Sequence, residues 1–176
     1  MTEMTINKLP SKTWYWLHVN ETKLPWDKEH TTELPEETVT AGNTEEVRFS
    51  ITGEERYSSK KIHIIAPAGK QVTVFMDYQT EEKLAVRTSL SVEEHARVRL
   101  VQLQHTAENS LVYNQIEGEC AKNARIELVQ IYLGKGDIYS DTTINLNGDA
   151  STIEHKGFTA KISLCPGGEK VNGAVN

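Results

Sequence analysis

The chain has 176 residues, a formal net charge of −6, 38% hydrophobic residues and 25% charged residues. This is the composition of a globular chain with a hydrophobic core of its own. No run of Lys and Arg could displace the counterions of a nucleic acid, so nucleic-acid binding is not expected. The longest apolar stretches, such as residues 62–66, are far shorter than the roughly 20 residues of a membrane span, so no membrane partner is expected either.

The N-terminus and the cysteines bear on the cellular compartment. Residues 1–12 lack the basic region and apolar core of a secretory signal. Cys120 and Cys165 are the two cysteines, and in such a chain they indicate free thiols more often than a disulfide. We therefore expect a cytoplasmic protein.

Residues 1–44 differ from the rest of the chain and predict an N-terminal extension. This segment holds all three tryptophans and leads into an acidic, Thr-rich stretch over residues 29–46. It could pack on the body through Trp14, Trp16 and Leu17. The alternative, which we favour, is a short amphipathic helix that caps an open end, because terminal units of a repeat protein need a cover.

From Val47 onward, apolar and polar residues alternate, which is typical of half-buried strands. The apolar positions of this alternation are Val47, Phe49, Ile51, Ile62, Ile64, Val72, Val74, Val98, Leu100, Ile126 and Leu128. Turn signals separate the strands at Pro67-Ala68-Gly69, Glu93-Glu94-His95, Lys122-Asn123 and Asn147-Gly148-Asp149.

One short motif recurs along the chain with a nearly constant period. It begins at Lys70, Ala96, Ala124 and, more weakly, Ala150, so the spacings are 96−70 = 26, 124−96 = 28 and 150−124 = 26. A second set, Leu90, Ile116 and Ile144, is spaced by 26 and 28 residues. Periods of 20–50 residues indicate a solenoid, propeller or array.

The length of the repeat selects among these architectures. A propeller blade needs about 40 residues, and the leucine and asparagine ladder of a leucine-rich repeat is not present. We predict an all-β, right-handed parallel β-helix of 26–28-residue coils, with neighbouring coils about 4.8 Å apart. The predicted core covers residues 45–164 in four or five coils, and residues 165–176 form a C-terminal tail.

Three segments carry a resemblance to a known family. They are residues 96–101 (ARVRLV), 132–136 (YLGKG) and 144–150 (INLNGDA), the last of which is similar to the turn Leu-x-Gly-x-x-Ala between coils. With these segments, residues 47–161 resemble the β-helical core of the SufB/SufD scaffold proteins of iron–sulfur cluster assembly. Residues 13–20 resemble the opening of SufD-type members.

The resemblance implies a function and partners. It implies a non-catalytic scaffold subunit in a complex with a SufB-type paralogue, or a homodimer, joined through the β-helix edge, and with a SufC-type ATPase. A transient iron–sulfur cluster would be held by the complex. Family members are typically more than twice as long, and both the usual ATPase docking region and the proposed cluster-holding residues follow the point where this chain stops. We therefore expect a short member or a fragment, and no family ligand is carried over to a residue here.

Cys120 and His105 are one candidate pair for a metal or cluster. Cys120 is expected to point inward. If the alternation changed parity after Leu100, Val101, Leu103 and His105 would share that interior, where a thiolate and an imidazole could bind iron. The alternative, a buried small cysteine and a satisfied core histidine, is commoner.

Cys165 is the third weak candidate ligand. It lies in a Gly-rich segment, with His155 ten residues before it. An exposed thiolate there could bind iron or pass sulfur, whereas the alternative is an inert cysteine near the end of the chain. Neither a Cys-x-x-Cys nor a His-x-His motif is present.

Two other features indicate a structural role and not a binding site. His63 alternates with Ile62 and Ile64 and should face solvent. Residues 134–137 (GKGD) lack the Lys-Ser/Thr pair of a phosphate loop, so they predict a turn between coils.

Two further functions remain open beside the scaffold. One is an interaction module on the same fold without cluster chemistry. The other is an enzyme of the polysaccharide-lyase kind, which needs acidic and basic side chains stacked around a sugar groove. Its candidates, Arg87, Tyr113 and Asp141, are not expected to form such a set.

Overall fold

A computed structural model of the chain describes residues 3–6, 22–42, 45–147, 151–165 and 168–175. All regular structure in these ranges is β-strand. Among them, no helix is long and apolar enough to cross a membrane. The strands are β1 (Glu3–Ile6), β2 (Thr22–Pro25), β3 (Thr32–Glu33), β4 (Glu37–Thr40), β5 (Glu46–Gly53), β6 (Tyr57–Ala66), β7 (Gln71–Thr80), β8 (Lys83–Val92), β9 (Arg97–Thr106), β10 (Leu111–Cys120), β11 (Arg125–Gly134), β12 (Asp137–Leu146), β13 (Thr152–Cys165) and β14 (Gly168–Val175).

From β5 to β13, the strands wind into a solenoid with two parallel sheets. Odd-numbered strands pair in the order β13-β11-β9-β7-β5 and even-numbered strands in the order β12-β10-β8-β6. The pairing between neighbouring coils is parallel throughout. The described strands form four coils, and β13 opens a fifth. The predicted all-β class and parallel β-helix are confirmed.

The corners between the strands set the length of each coil. Strands β6 to β12 each have ten residues. Gln71 pairs with Arg97, Arg97 with Arg125 and Arg125 with Thr152, so the periods are 26, 28 and 27. The longest coil contains a four-residue corner at 107–110, where the coil before it has the two residues 81–82. The extra residues of the longest coil therefore lie in its corner, and the strands keep their length.

The corners after β6, β8 and β10 repeat one turn. Gly69, His95 and Asn123 occupy equivalent places with φ of 69°, 59° and 56°. Each turn closes with a backbone hydrogen bond, for instance from Lys70 N–H to Pro67 O (2.9 Å). Gly and Asn tolerate the left-handed region best, and the turns predicted at these places are confirmed.

Two details of the predicted register are wrong. Leu90 and Ile144 both pair with Gly118, whereas Ile116 pairs with Thr88. A β-carbon on Gly118 would lie 2.7 Å from Leu90 Cβ, so the ladder has a glycine where a large side chain was expected. The last repeat is also displaced by one residue, because Ile126 pairs with Ile153, whereas the repeated motif aligned it with Thr152. The segment between β12 and β13, residues 147–151, is correspondingly longer.

The described part of the N-terminal segment forms strands. β1 and β2 make an antiparallel pair, and β3 and β4 pair in parallel with β6. Ile6, Leu24 and Trp26 pack on Tyr57 and Leu111 on the outer side of the even-numbered sheet. The predicted contacts of Trp14, Trp16 and Leu17, and the predicted capping helix, fall outside the described residues.

β14 pairs antiparallel with β13, from Phe158 opposite Val175 to Cys165 opposite Gly168. The odd-numbered sheet therefore continues past the last parallel strand. The division of the chain at residues 44 and 164 remains a proposal. The parallel pairing of β3 with β6 means that contacts of the solenoid type already begin at Thr32, before the predicted boundary.

Candidate functional site

The interior of the solenoid changes from apolar to polar along the odd-numbered strands β9 and β11. In β9, Val98 and Leu100 are buried, and they are followed on the same face by the buried Gln102, Gln104 and Thr106. The parallel register repeats this polar part, because Gln102 pairs with Gln130 of the next coil. Polar side chains thus share one end of the interior.

A hydrogen-bonded cluster fills this polar interior. Gln102 Nε2 donates to the Tyr78 hydroxyl (2.7 Å), and Gln102 Oε1 accepts from Asn114 Nδ2 and from Gln130 Nε2 (both 2.8 Å). Gln130 also donates to Ser140 Oγ (3.3 Å). Burial raises the pKa of Tyr78 far above its ordinary value. The phenol therefore stays neutral and contributes hydrogen bonds.

Gln104 differs from the residues of this cluster because its side chain is not hydrogen-bonded. Its side chain is fully buried, yet neither its amide nitrogen nor its amide oxygen has a hydrogen-bond partner. Its parallel neighbours are Tyr78 on one side and Tyr132 on the other. An unpaired buried amide costs about 1–3 kcal/mol, so this position is under energetic strain.

The structure does not bring His105 and Cys120 together. The alternation continues through β9 without a change of parity, so Val101, Leu103 and His105 face outward. The parity change considered for His105 is therefore wrong, because the inward face accepts glutamines in place of apolar residues. His105 is exposed, and the side chain of Cys120 is buried at the end of β10.

Cys120 does point inward, as predicted. It pairs with Val92 below and Leu146 above and is a free thiol. Burial raises its pKa, which disfavours the thiolate that binds metal. Among the described residues, no group of three or more His, Cys, Asp and Glu side chains is placed to hold a metal ion.

Cys165 ends β13. Its side chain, like that of His155, lies outside the described residues, so its role as a ligand stays a prediction.

His63 faces outward, as predicted, and joins two elements. Its Nε2 lies 2.9 Å from Glu36 Oε1, and its Nδ1 lies 2.5 Å from Ser89 Oγ. Beside it, the largely buried Lys60 binds the Pro35 carbonyl oxygen and Glu37 Oε1 (3.2 Å). These contacts hold the β3–β4 segment on β6. The sequence offered no signal for them, because the partners are 23 or more residues apart.

The loop with the sequence Gly134-Lys135-Gly136 is a turn, as predicted, but it joins β11 to β12 within one coil and does not connect one coil to the next. Gly134 has a φ of 142°, and a β-carbon on it would lie 2.2 Å from the Thr106 carbonyl oxygen. A β-carbon on Gly136 would lie 2.5 Å from the Ser110 carbonyl oxygen. The two glycines make room for the longer corner at 107–110 in the coil below.

The three candidate residues of a sugar-cleaving site lie closer to one another than the sequence indicated. They are Arg87, Tyr113 and Asp141. Arg87 and Asp141 both pair with Gln115, and Tyr113 lies two residues earlier on the same face of β10. Tyr113 is buried beside Trp26, and burial, followed by the charge of Asp141, raises its pKa to about 12. A phenol with this pKa is a poor general base near neutral pH.

β12 forms an open edge of the even-numbered sheet. It pairs with β10, and no described strand pairs with its other side. Ile138 and Ile144 of β12 are partly buried against the core, and Leu146 is 50% exposed. Within the part of the chain that the structure describes, this edge leaves backbone groups of β12 without a strand partner, beside an apolar row whose last member, Leu146, is half exposed.

Together, these features define a two-sheeted parallel β-solenoid with a partly polar interior and an open edge. Residues 49–162 match the family model described as SUF system FeS cluster assembly, SufBD core domain. The chain belongs to this family, and the family indicates a role in iron–sulfur cluster assembly. No curated protein and no solved structure matches the chain.

Proposed function

We propose that this protein is a non-catalytic, cytoplasmic scaffold subunit that joins a SufB-type partner and a SufC-type ATPase. The cluster is the cargo of that complex, held between its subunits. Membership in the SufBD family over residues 49–162 supports this assignment.

The open edge of β12 is the observation that carries the proposal. An unpaired strand edge offers a row of N–H and C=O groups to a strand of another chain. Leu146, half exposed at the end of the inward-facing row, adds apolar surface that a partner would bury. At the other end of the solenoid, the exposed β5 residues Glu46 and Arg48 form an ion pair (2.7 Å), and charges of this kind discourage strand addition.

The test of the partner surface compares two variants of β12. Leu146→Lys places a charge in the apolar row. Thr143→Lys places the same charge on the outer face of the same strand, where Thr143 is exposed. Co-purification with a SufB-type protein should be weakened at least about tenfold by Leu146→Lys, as expected when about 1.4 kcal/mol of binding is lost, and little by Thr143→Lys.

Light scattering on the separated species would distinguish a mixed pair from a homodimer. Equal binding by both variants would contradict use of this edge. No co-purification of the unmodified chain would contradict the scaffold role.

The cargo is tested separately by anaerobic reconstitution with iron and sulfide. Visible absorption should develop when the chain, the SufB-type partner and the ATPase are combined. Co-purification without any chromophore would instead identify an interaction module without cluster chemistry.

A further inference from the structure

A groove lies beside the N-terminal hairpin, on the outer side of the even-numbered sheet. Its volume is about 290 Å³, close to the lower end of the range of roughly 300–1,000 Å³ for small-molecule sites. One wall comes from β1, Trp26 and the loop that follows it, and the floor comes from β6, β8 and β10. The groove and the polar interior lie on opposite faces of the even-numbered sheet, with Tyr113 facing the groove and Asn114 facing the interior.

The charge of the groove is predominantly positive. Lys28, Lys61 and Arg87 are exposed and line it, against one exposed carboxylate, that of Glu33. Lys60 also lines the groove, but its ammonium group already binds Glu37. An excess of cations in a protein with a net charge of −6 is a local feature of this groove.

Two of these cations oppose each other directly. Lys61 on β6 is the parallel partner of Arg87 on β8, and like charges placed opposite each other in a sheet are destabilising. Arg87 contacts Gln115 (2.9 Å) and, more distantly, Glu117 (3.8 Å). Among the described residues, neither Lys61 nor Lys28 has an ion-pair partner within 4.0 Å. An anion in the groove would relieve this repulsion.

One wall of the groove is mainly apolar and is fixed in place. Trp26 donates its indole N–H to Thr31 Oγ1 (3.0 Å), and its ring meets that of Tyr57 edge-on at 5.3 Å. Tyr113 and Met4 also line the groove. These contacts hold an apolar wall in place next to the cations before any ligand arrives.

We propose that this groove binds a small organic anion that carries a phosphate or carboxylate group on a flat apolar body. The anionic group lies between Lys28 and Lys61, and the apolar body packs against Tyr113 and Met4. Charge alone would favour inorganic phosphate, whereas the apolar wall selects a ligand with both features.

Calorimetric titration of the full chain with 2-naphthyl phosphate tests the proposal. 2-Naphthol and inorganic phosphate, titrated separately, each keep one half of the probe. We expect the whole probe to bind at least about tenfold more tightly than either half, and the double variant Lys28→Gln/Lys61→Gln to lose at least about tenfold in affinity, which corresponds to about 1.4 kcal/mol.

The controls separate this site from general charge effects and from the partner surface. Lys122→Gln removes an exposed cation from a corner outside the groove and should bind the probe like the unmodified chain, as should Leu146→Lys at the β12 edge. Unchanged affinity in the Lys28/Lys61 double variant, equal binding of inorganic phosphate and the probe, or no binding at millimolar probe would each overturn the proposal.

Discussion

At the scale of single residues, two glycines with positive φ differ in the space around them. Gly134 has a φ of 142° and carbonyl and hydroxyl oxygens of Thr106 within 2.4 Å of where a β-carbon would be. Gly69 has a φ of 69° and nothing within 4 Å of that position. Both conformation and space require the first glycine. Conformation only favours the second, because His95 and Asn123 adopt a similar φ in the equivalent turns.

Gly134→Ala should therefore cost more stability than Gly69→Ala. We expect a loss of about 3 kcal/mol or more for Gly134→Ala, because left-handed strain of about 1–2 kcal/mol is added to about 1–3 kcal/mol of overpacking. For Gly69→Ala, we expect a loss of about 1 kcal/mol. Equilibrium urea unfolding of both variants measures the difference, and equal losses would contradict the close contact at Gly134.

Cys120 combines full burial with a raised pKa. Both properties oppose the exposed thiolate that reactivity requires. A sequence can suggest that a cysteine points inward, but its surroundings decide whether the thiol can react.

In a Cys165→Ser variant, the remaining thiol of Cys120 should resist alkylation by iodoacetamide at neutral pH. The same thiol should react readily in denaturant, where it is exposed. Mass spectrometry of the two samples measures the modified fraction. Rapid labelling of the folded variant would contradict the burial of Cys120 and revive it as an accessible ligand.

At the scale of strands, the buried glutamines of β9 have opposite environments. Gln102 is hydrogen-bonded to Tyr78, Asn114 and Gln130, whereas both polar atoms of Gln104 are unpaired. The two residues are neighbours on one face of one strand, so the same substitution at each compares these environments directly.

Gln102→Leu should destabilise the protein by about 2–4 kcal/mol, because it leaves buried polar groups of its neighbours without a partner. Gln104→Leu should be neutral or stabilise the protein by about 1 kcal/mol, because it removes two unpaired buried atoms. The midpoints of thermal unfolding measure both effects. A loss at Gln104 as large as that at Gln102 would indicate that the amide of Gln104 binds an ordered water molecule.

At the scale of the whole molecule, the coils differ in how well their strands are covered. β8, β9 and β10 have paired strands on both sides, whereas β12 is paired on one side in the described structure. In a solenoid, each coil is stabilised mainly by its nearest neighbours, so terminal strands open more readily than internal ones.

Amide hydrogen exchange should therefore be slowest in β8 to β10 and faster in β12. Peptide-resolved mass spectrometry of the full chain measures this order. Adding the SufB-type partner should slow exchange in β12 and leave β8 unchanged. Equal protection of β12 and β8 in the isolated chain would contradict an open edge at β12.

The repeat length and the alternation determined the fold class without the structure. Alternating residues such as Ile62, His63 and Ile64 must face opposite sides of a strand, and a period near 27 residues permits little besides stacked coils. The candidate pair of Cys120 and His105 required the residues after Leu100 to exchange their inward and outward faces. The sequence was ambiguous at this point, because buried glutamines cannot be told from surface residues by their polarity.

Only the tertiary structure decided how distant segments meet. The register of Leu90 with Gly118, the contact of Glu36 with His63 and the groove between Lys28 and Lys61 each join residues at least 25 positions apart. Local alternation sets which face a side chain occupies. The length of each corner sets which residue of the next coil lies beside it, and that depends on the packing of the folded chain.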